Sequence, residues 1–384
     1  MRFDLKATLL LVFAVGATAY GCSSDKNAAD AGAAGSSSFG NAGTQASPTA
    51  GTSGGDGASG ASGTAGAAAN GGGALDDAGA ANAGTGGTGG SNGGAGIGGW
   101  DGGGGACAGK PGSKRGKTMQ TVMVGGIPRT FVLYAPMKLD PNQPVPVVVV
   151  AHGYTMSGAM MFDITQYDKI AEREGIVVAY PDGEGVNPWN CGAGICGLGA
   201  TVNAVGDDQA FMEALLKLIE DDQCIDHPHV FITGFSMGGY FSNETACVNP
   251  KFRAAGPHSG GTHDLSSCKT GHKPMIIFHV KTDSLIIYSC GQDARDQWVK
   301  HNGCMSGAGD VVQVKGGSCE YAKGCPADGQ VALCSFDLPS GAATSFSGHG
   351  WAGGSTAGMG ASYAVPGVES ASELGWAFFE KYAW

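Results

Sequence analysis

Residues 230–239 read Val-Phe-Ile-Thr-Gly-Phe-Ser-Met-Gly-Gly. The run Val230–Thr233 is β-branched and aromatic, which favours a strand. Gly234-Phe235-Ser236-Met237-Gly238 follows, with a glycine two positions to either side of the serine. Side chains at those two positions would clash where a strand turns sharply into a helix, and Gly239 leaves further room. Such a turn lifts the serine hydroxyl off the end of the strand, the geometry of a nucleophile elbow. The bare G-x-S-x-G spacing also occurs in glycine-rich turns without chemistry. Here a strand precedes it and Met237–Cys247 reads as a helix after it, and that context selects the chemical reading.

Working outward, the same alternation recurs. Met119–Val124 and Arg129–Tyr134 are strand-like, and Gly125-Gly126 between them reads as a hairpin turn. Pro144–Ala151 is a continuous β-branched run, as expected of a strand buried on both faces of a parallel sheet. Ala159–Glu174 reads as helix, Gly175–Tyr180 as a buried strand and Pro181-Asp182-Gly183 as a turn. Residues 188–205 are rich in glycine and cysteine and read as an irregular loop. Asp207–Asp221 is amphipathic, with Phe211, Leu215, Leu218 and Ile219 on one side. Arg253–Pro257 and Pro274–Val280 are further strands; Asp293–His301 and Ser370–Tyr382 are helices. Strands alternating with helices predict an α/β fold with a mostly parallel central sheet flanked by helices.

A hydroxyl is a weak nucleophile at neutral pH and needs a base, which in turn needs an orienting acid. With a serine at such an elbow, the acid and then the base follow it along the chain. The strand Pro274–Val280 runs into Lys281-Thr282-Asp283, which makes Asp283 the candidate acid ahead of Asp293 and Asp337. Gly348-His349-Gly350-Trp351 lies in a loop before the last helix, and its flanking glycines let the imidazole of His349 reach back. His258, His263 and His279 fit this order poorly and read as hydrogen-bonded structural groups. Oxyanion donors are expected from the backbone N–H groups of Met237, after the serine, and of Tyr154, after Ala151-His152-Gly153. Trp189, Trp351 and Tyr154 are candidates for an apolar substrate wall, and the chemistry needs no metal or cofactor.

The N-terminal third is different. Of the 84 residues from Ser23 to Ala106, 29 are glycine, and most of the rest are Ala, Ser, Thr and Asn. Too little apolar surface is present to offset chain entropy, so a disordered linker is predicted over 22–106 and one large domain over 107–384. As a random coil such a linker spans roughly 50 Å. Arg2 and Lys6 precede or border the apolar run Ala7–Ala19, which is short for a membrane span and reads as a signal peptide over 1–21. Ala19-Tyr20-Gly21-Cys22 resembles a bacterial lipobox, which would place a lipid on Cys22 and anchor the enzyme to a membrane; Ala17-Thr18-Ala19 would instead allow ordinary secretion. The net charge is −11, and the linker holds six Asp and one Lys of it. No Lys/Arg run appears in the remainder, so nucleic acid is not an expected partner on electrostatic grounds. Twelve cysteines, without Cys-x-x-Cys or Cys/His clusters at zinc spacing, point to disulfides in an oxidising compartment. Eleven of them lie from Cys107 onward, so one is free or pairs elsewhere, and the last four allow three connectivities.

The segments His152-Gly153, Tyr180-Pro181-Asp182-Gly183, Trp189-Asn190, Cys224-Ile225-Asp226, Gly234–Gly239, Asn302-Gly303-Cys304 and Gly348-His349-Gly350-Trp351 occur in the order seen in one esterase family. The chain resembles the polyhydroxybutyrate-depolymerase-like and feruloyl or acetylxylan esterases (carbohydrate esterase family 1) over most of residues 106–384. The resemblance implies an α/β-hydrolase fold and a secreted serine esterase using Ser236, Asp283 and His349, with disulfides near the paired cysteines. It implies feruloyl or acetyl esters of plant-wall xylan as substrate. A polyester depolymerase, a serine peptidase and an inactive binding domain are the alternatives.

Overall fold

The computed structural model describes residues 107–383, except 186–188, 192–195, 197–200, 203–205, 343 and 345–346, together with a two-residue pairing of Gly21–Cys22 with Thr201–Val202. The readings of the leader up to residue 20, the linker over 23–106 and most of the loop 188–205 fall outside the described residues, and at Cys22 only the backbone pairing is described.

Ten strands form one sheet. In chain order they are β1 (Gly116–Val124), β2 (Ile127–Ala135), β3 (Val145–Ala151), β4 (Val177–Pro181), β5 (Ile225–Phe235), β6 (Ala254–His258), β7 (Met275–Val280), β8 (Asp310–Val314), β9 (Gly317–Tyr321) and β10 (Val331–Phe336). Their spatial order is β8-β9-β10-β7-β6-β5-β3-β4-β2-β1. The six strands from β10 to β4 run parallel, and an antiparallel pair closes each edge. The β1–β2 turn is Gly125-Gly126, both at positive φ, as a tight hairpin requires.

The valine run of β3 shows why the sheet is buried on both sides. Val147 and Val149 face one core with Phe211, Leu215, Phe241 and Trp298. Val148 and Val150 face the other with Met161, Ile170, Trp376 and Phe379. Alternate residues of one strand therefore serve two cores, and no polar alternation is left in the sequence. Helices α3 (Asp208–Asp222), α4 (Met237–Val248) and α5 (Tyr288–His301) cover the first face; α1 (Gly158–Thr165), α2 (Tyr167–Glu174) and α6 (Ala371–Tyr382) cover the second. This is the α/β-hydrolase architecture.

Three details differ from the sequence reading. The helix expected over 159–174 is two, because Gln166 adopts φ 55° and ends α1 while its carbonyl opens α2 by accepting Lys169 N–H at 3.1 Å. The helix expected from Asp293 begins earlier, at Tyr288. The β8–β9–β10 meander has no counterpart in the sequence reading: Val311 and Val312 are exposed, so no buried run marks β8, and β10, though buried throughout, is a six-residue run broken by Cys334 and Ser335.

Among the described residues five disulfides join Cys107–Cys224, Cys196–Cys290, Cys247–Cys268, Cys304–Cys325 and Cys319–Cys334; Cys191 is disulfide-bonded as well, and no described cysteine is free. None of these joins the sequence-adjacent pairs Cys191/Cys196, Cys224/Cys247 or Cys319/Cys325. Register decides instead, since Cys319 and Cys334 stand opposite each other on β9 and β10.

Candidate active site

The carboxyl ends of β3, β5, β6 and β7 lie side by side, and the candidate groups leave the sheet there. That edge is where open parallel sheets present their ligand sites.

At the end of β5, Ser236 adopts φ 58° and ψ −117°, a conformation that L-residues rarely hold. Its N–H donates to the His258 carbonyl on β6 at 2.9 Å, and its own carbonyl accepts Gly239 and Tyr240 N–H at 2.8 and 3.1 Å. The serine occupies the N-cap of α4, yet its hydroxyl makes no capping bond. An ordinary N-cap serine uses an extended backbone and gives its oxygen to the helix; the positive φ turns this one away. Gly238 is obligatory for packing, because a Cβ there would lie 2.2 Å from the Ala151 carbonyl oxygen of β3.

Asp283 stands three residues beyond β7 and is buried. Oδ1 accepts the N–H groups of Leu285 and Ile286, each at 2.9 Å, and Oδ2 lies 2.7 Å from His349 Nδ1. An ionised carboxylate only accepts, so Nδ1 carries the proton and Nε2 of a neutral His349 is left as an acceptor. The His349 ring lies 4.7 Å from that of Phe235, the residue before Ser236. Gly348 admits this loop: it has φ 101°, and a Cβ would meet Thr282 Oγ1 at 2.8 Å. Beyond it, the short strand β11 (Trp351–Ala352) pairs with β12 (Ala364–Val365).

The loop after β3 is held by His152. Its Nε2 accepts Gly183 N–H at 2.8 Å, so its proton is on Nδ1, which donates to Gly153 O at 2.7 Å. A Cβ on Gly153 would lie 3.1 Å from Ser236 Cβ, which places this loop against the serine. Met237, whose N–H was expected to serve as a donor, opens α4, and Tyr154 is partly exposed just beyond Gly153.

Two expected substrate contacts take a different place. Trp189 is 0% exposed, stacked on Phe241 at 4.7 Å, and its Nε1–H donates to His152 O at 2.7 Å. Trp351 is 1% exposed, stacked on His258 at 4.9 Å, with its Nε1–H on Ser372 Oγ. Both spend their faces and donors on the protein and offer no open wall. The exposed apolar side chains on these loops are instead Tyr154, Leu285 and Ile287, and neither aliphatic one stood out in the sequence. The rival acids are on the surface: Asp337 meets Lys281 Nζ and Asp293 meets Gln297 Nε2.

His258 and His279 surround the site more closely than chain order suggested. His279 Nε2 donates to Ile286 O at 2.8 Å and stands 3.7 Å from Asp283 Oδ2, behind the acid. Burial pushes the imidazoles of His152, His258, His263 and His279 below the usual histidine range. In the unfolded chain all four gain a proton below about pH 6.5, and the folded chain resists it, so stability falls as pH drops below that value. Glu244 opposes this: burial lifts it to about 7, so the fold keeps a proton that the unfolded chain gives up above about pH 4.5. Asp208 and Glu380, also raised by burial, act in the same sense as Glu244. Four groups against three predict a lower Tm at pH 5 than at pH 7. A melt series in which Tm holds steady or rises on acidification would refute this account of the buried histidines.

The putative esterase family model matches residues 124–305. Feruloyl esterase D of Neurospora crassa is 30% identical over 220 residues, 55% of this chain and 72% of that protein. Feruloyl esterase C of Emericella nidulans is 30% identical over 205 residues, 50% of this chain and 72% of that protein. Among solved structures, an acetyl xylan esterase from Aspergillus awamori matches at TM-score 0.44 and 17% identity, over 57% of this chain and 92% of that one. The protein is thus a carboxylic ester hydrolase. Within that class the chain belongs to the feruloyl esterase-like family.

Proposed function

We propose that the protein cleaves ester groups on plant-wall polysaccharides, feruloyl or acetyl esters of xylan, by a two-step acyl transfer on Ser236. The observations that carry this are a serine hydroxyl released from its helix cap and an imidazole whose Nδ1 is held by a buried carboxylate and whose ring lies 4.7 Å from that of Phe235, the residue before the serine. His349 Nε2 takes the Ser236 proton as Oγ attacks the ester carbonyl carbon. Charge gathers on the carbonyl oxygen, facing the Met237 and Tyr154 N–H groups. Collapse expels the alcohol, which receives the proton from His349, and leaves an acyl-serine. Water then repeats the sequence, giving a carboxylic acid and free Ser236. Asp283 keeps the imidazole in the required tautomer and stabilises its charged form.

The feruloyl esterase activity of the two relatives supports the feruloyl choice, as do the exposed Tyr154, Leu285 and Ile287, which suit an apolar acyl group near the acid loop. The disulfides suit an extracellular location. Methyl ferulate, acetylated xylan and hydroxybutyrate oligomers discriminate the readings. Turnover of either of the first two is expected; cleavage of the oligomers alone would transfer the assignment to polyester depolymerisation.

A further inference from the structure

His258 ends β6 and is fully buried, and three separate parts of the site meet on it. Its backbone carbonyl accepts the N–H of Ser236 at 2.9 Å. Its ring Nε2 accepts the N–H of Ala352 at 2.9 Å, three residues beyond His349. The ring lies between Trp351, at 4.9 Å, and Phe278 of β7, at 5.8 Å, nearly parallel to both, and meets Phe235 edge-on at 5.9 Å. The loop that carries His349 is outside the main sheet, and its own ladder is only two residues long. The bond from Ala352 to His258 ties that loop to β6, whose last carbonyl also accepts the Ser236 N–H.

We propose that His258 is a positioning residue, whose neutral imidazole sets the place of His349 relative to Ser236 by accepting the Ala352 N–H. The inference rests on the Ser236–His349–Asp283 reading. An acceptor at Nε2 puts the single proton of the neutral imidazole on Nδ1, which faces Ser259 Oγ at 3.1 Å. Burial is the main force keeping the ring neutral, and the neighbouring His279 and His349, the titratable groups acting on it, oppose a positive charge there as well. Without the acceptor, Ala352 N–H becomes a buried orphan donor, and the loop must shift to satisfy it. Small displacements of a catalytic group cost rate far more than they cost binding.

His258→Phe keeps an aromatic ring against Trp351 and Phe278 and removes the acceptor. His258→Gln places an amide oxygen near the former Nε2, and His258→Asn is too short to do so. His258→Phe is expected to lower kcat on a soluble ester about 10- to 100-fold, with KM within about threefold of wild type. His258→Gln should recover most of that loss and His258→Asn should not, at equal content of folded protein by melting. A purely structural role would not order the variants by acceptor reach. The proposal is overturned if His258→Phe keeps kcat within about twofold of wild type, or if Gln is no better than Asn. Should His258→Phe fail to fold, the Gln and Asn pair decides alone. Fluorophosphonate labelling of wild type and Ser236→Ala, run in parallel, separates the two claims. Labelling or activity that survives Ser236→Ala sinks the triad reading. Loss in Ser236→Ala with normal turnover in the His258 variants sinks only the positioning role.

Discussion

Ser236→Ala is expected to lower kcat on a soluble ester by about 10⁵- to 10⁶-fold, to a residue set by whatever the remaining donors and binding supply. KM should change little, since the hydroxyl contributes mainly once the carbonyl begins to turn tetrahedral. Stability should also stay within about 0.5 kcal/mol of wild type. The reason is local. An ordinary N-cap serine lost to alanine costs about 1 kcal/mol of helix stability, but this hydroxyl makes no capping bond. Alanine inherits the same positive φ, so the backbone strain is unchanged. Measuring kcat and Tm on the same preparation tests both halves. An Ala variant that keeps more than a hundredth of wild-type turnover would mean that another group attacks the ester.

Asp283→Asn is expected to cost about 10⁴-fold in kcat, although it removes only a charge and alters no shape. The direction follows from the hydrogen bonds around the side chain. Leu285 and Ile287's neighbour Ile286 both donate backbone N–H to Oδ1, so an asparagine must keep its oxygen there. Its NH₂ then faces His349 Nδ1, where the carboxylate oxygen stood at 2.7 Å. A donor in that place requires Nδ1 to accept, which moves the imidazole proton to Nε2 and leaves nothing to receive the Ser236 proton. Alkaline assay should recover part of the loss, because hydroxide can take over the proton removal. If Asp283→Asn works at near wild-type rate at pH 7, the carboxylate does not orient the base.

The parts of this site that the sequence discloses are those with a strong local cause. The elbow is legible because Gly234 and Gly238 flank the serine and a β-branched run precedes it. The buried strands are legible because both faces of β3 and β4 are covered, which leaves unbroken apolar runs. Asp283 and His349 can be selected by chain order once Ser236 is chosen. What escaped has a non-local cause. Exposed Val311 and Val312 give β8 no core face to betray it. The cystine map depends on register between strands, as at Cys319 and Cys334. Trp189 and Trp351 look like pocket walls until their stacking partners Phe241 and His258 are known. His258 has no motif around it; its place at the last residue of a strand beside the elbow strand is the one signal available, and it requires the sheet order to be read.

Each group proposed to act in the reaction hangs from the tip of its own strand or from a loop leaning on that tip, while the strands themselves are locked between two layers of helices. Load bearing and chemistry are therefore assigned to different stretches of the chain. The side chains of Tyr154, Leu285 and Ile287 can be exchanged to suit another acyl group, because backbone N–H groups and not these side chains hold Asp283 in place, and the frame beneath need not be redesigned.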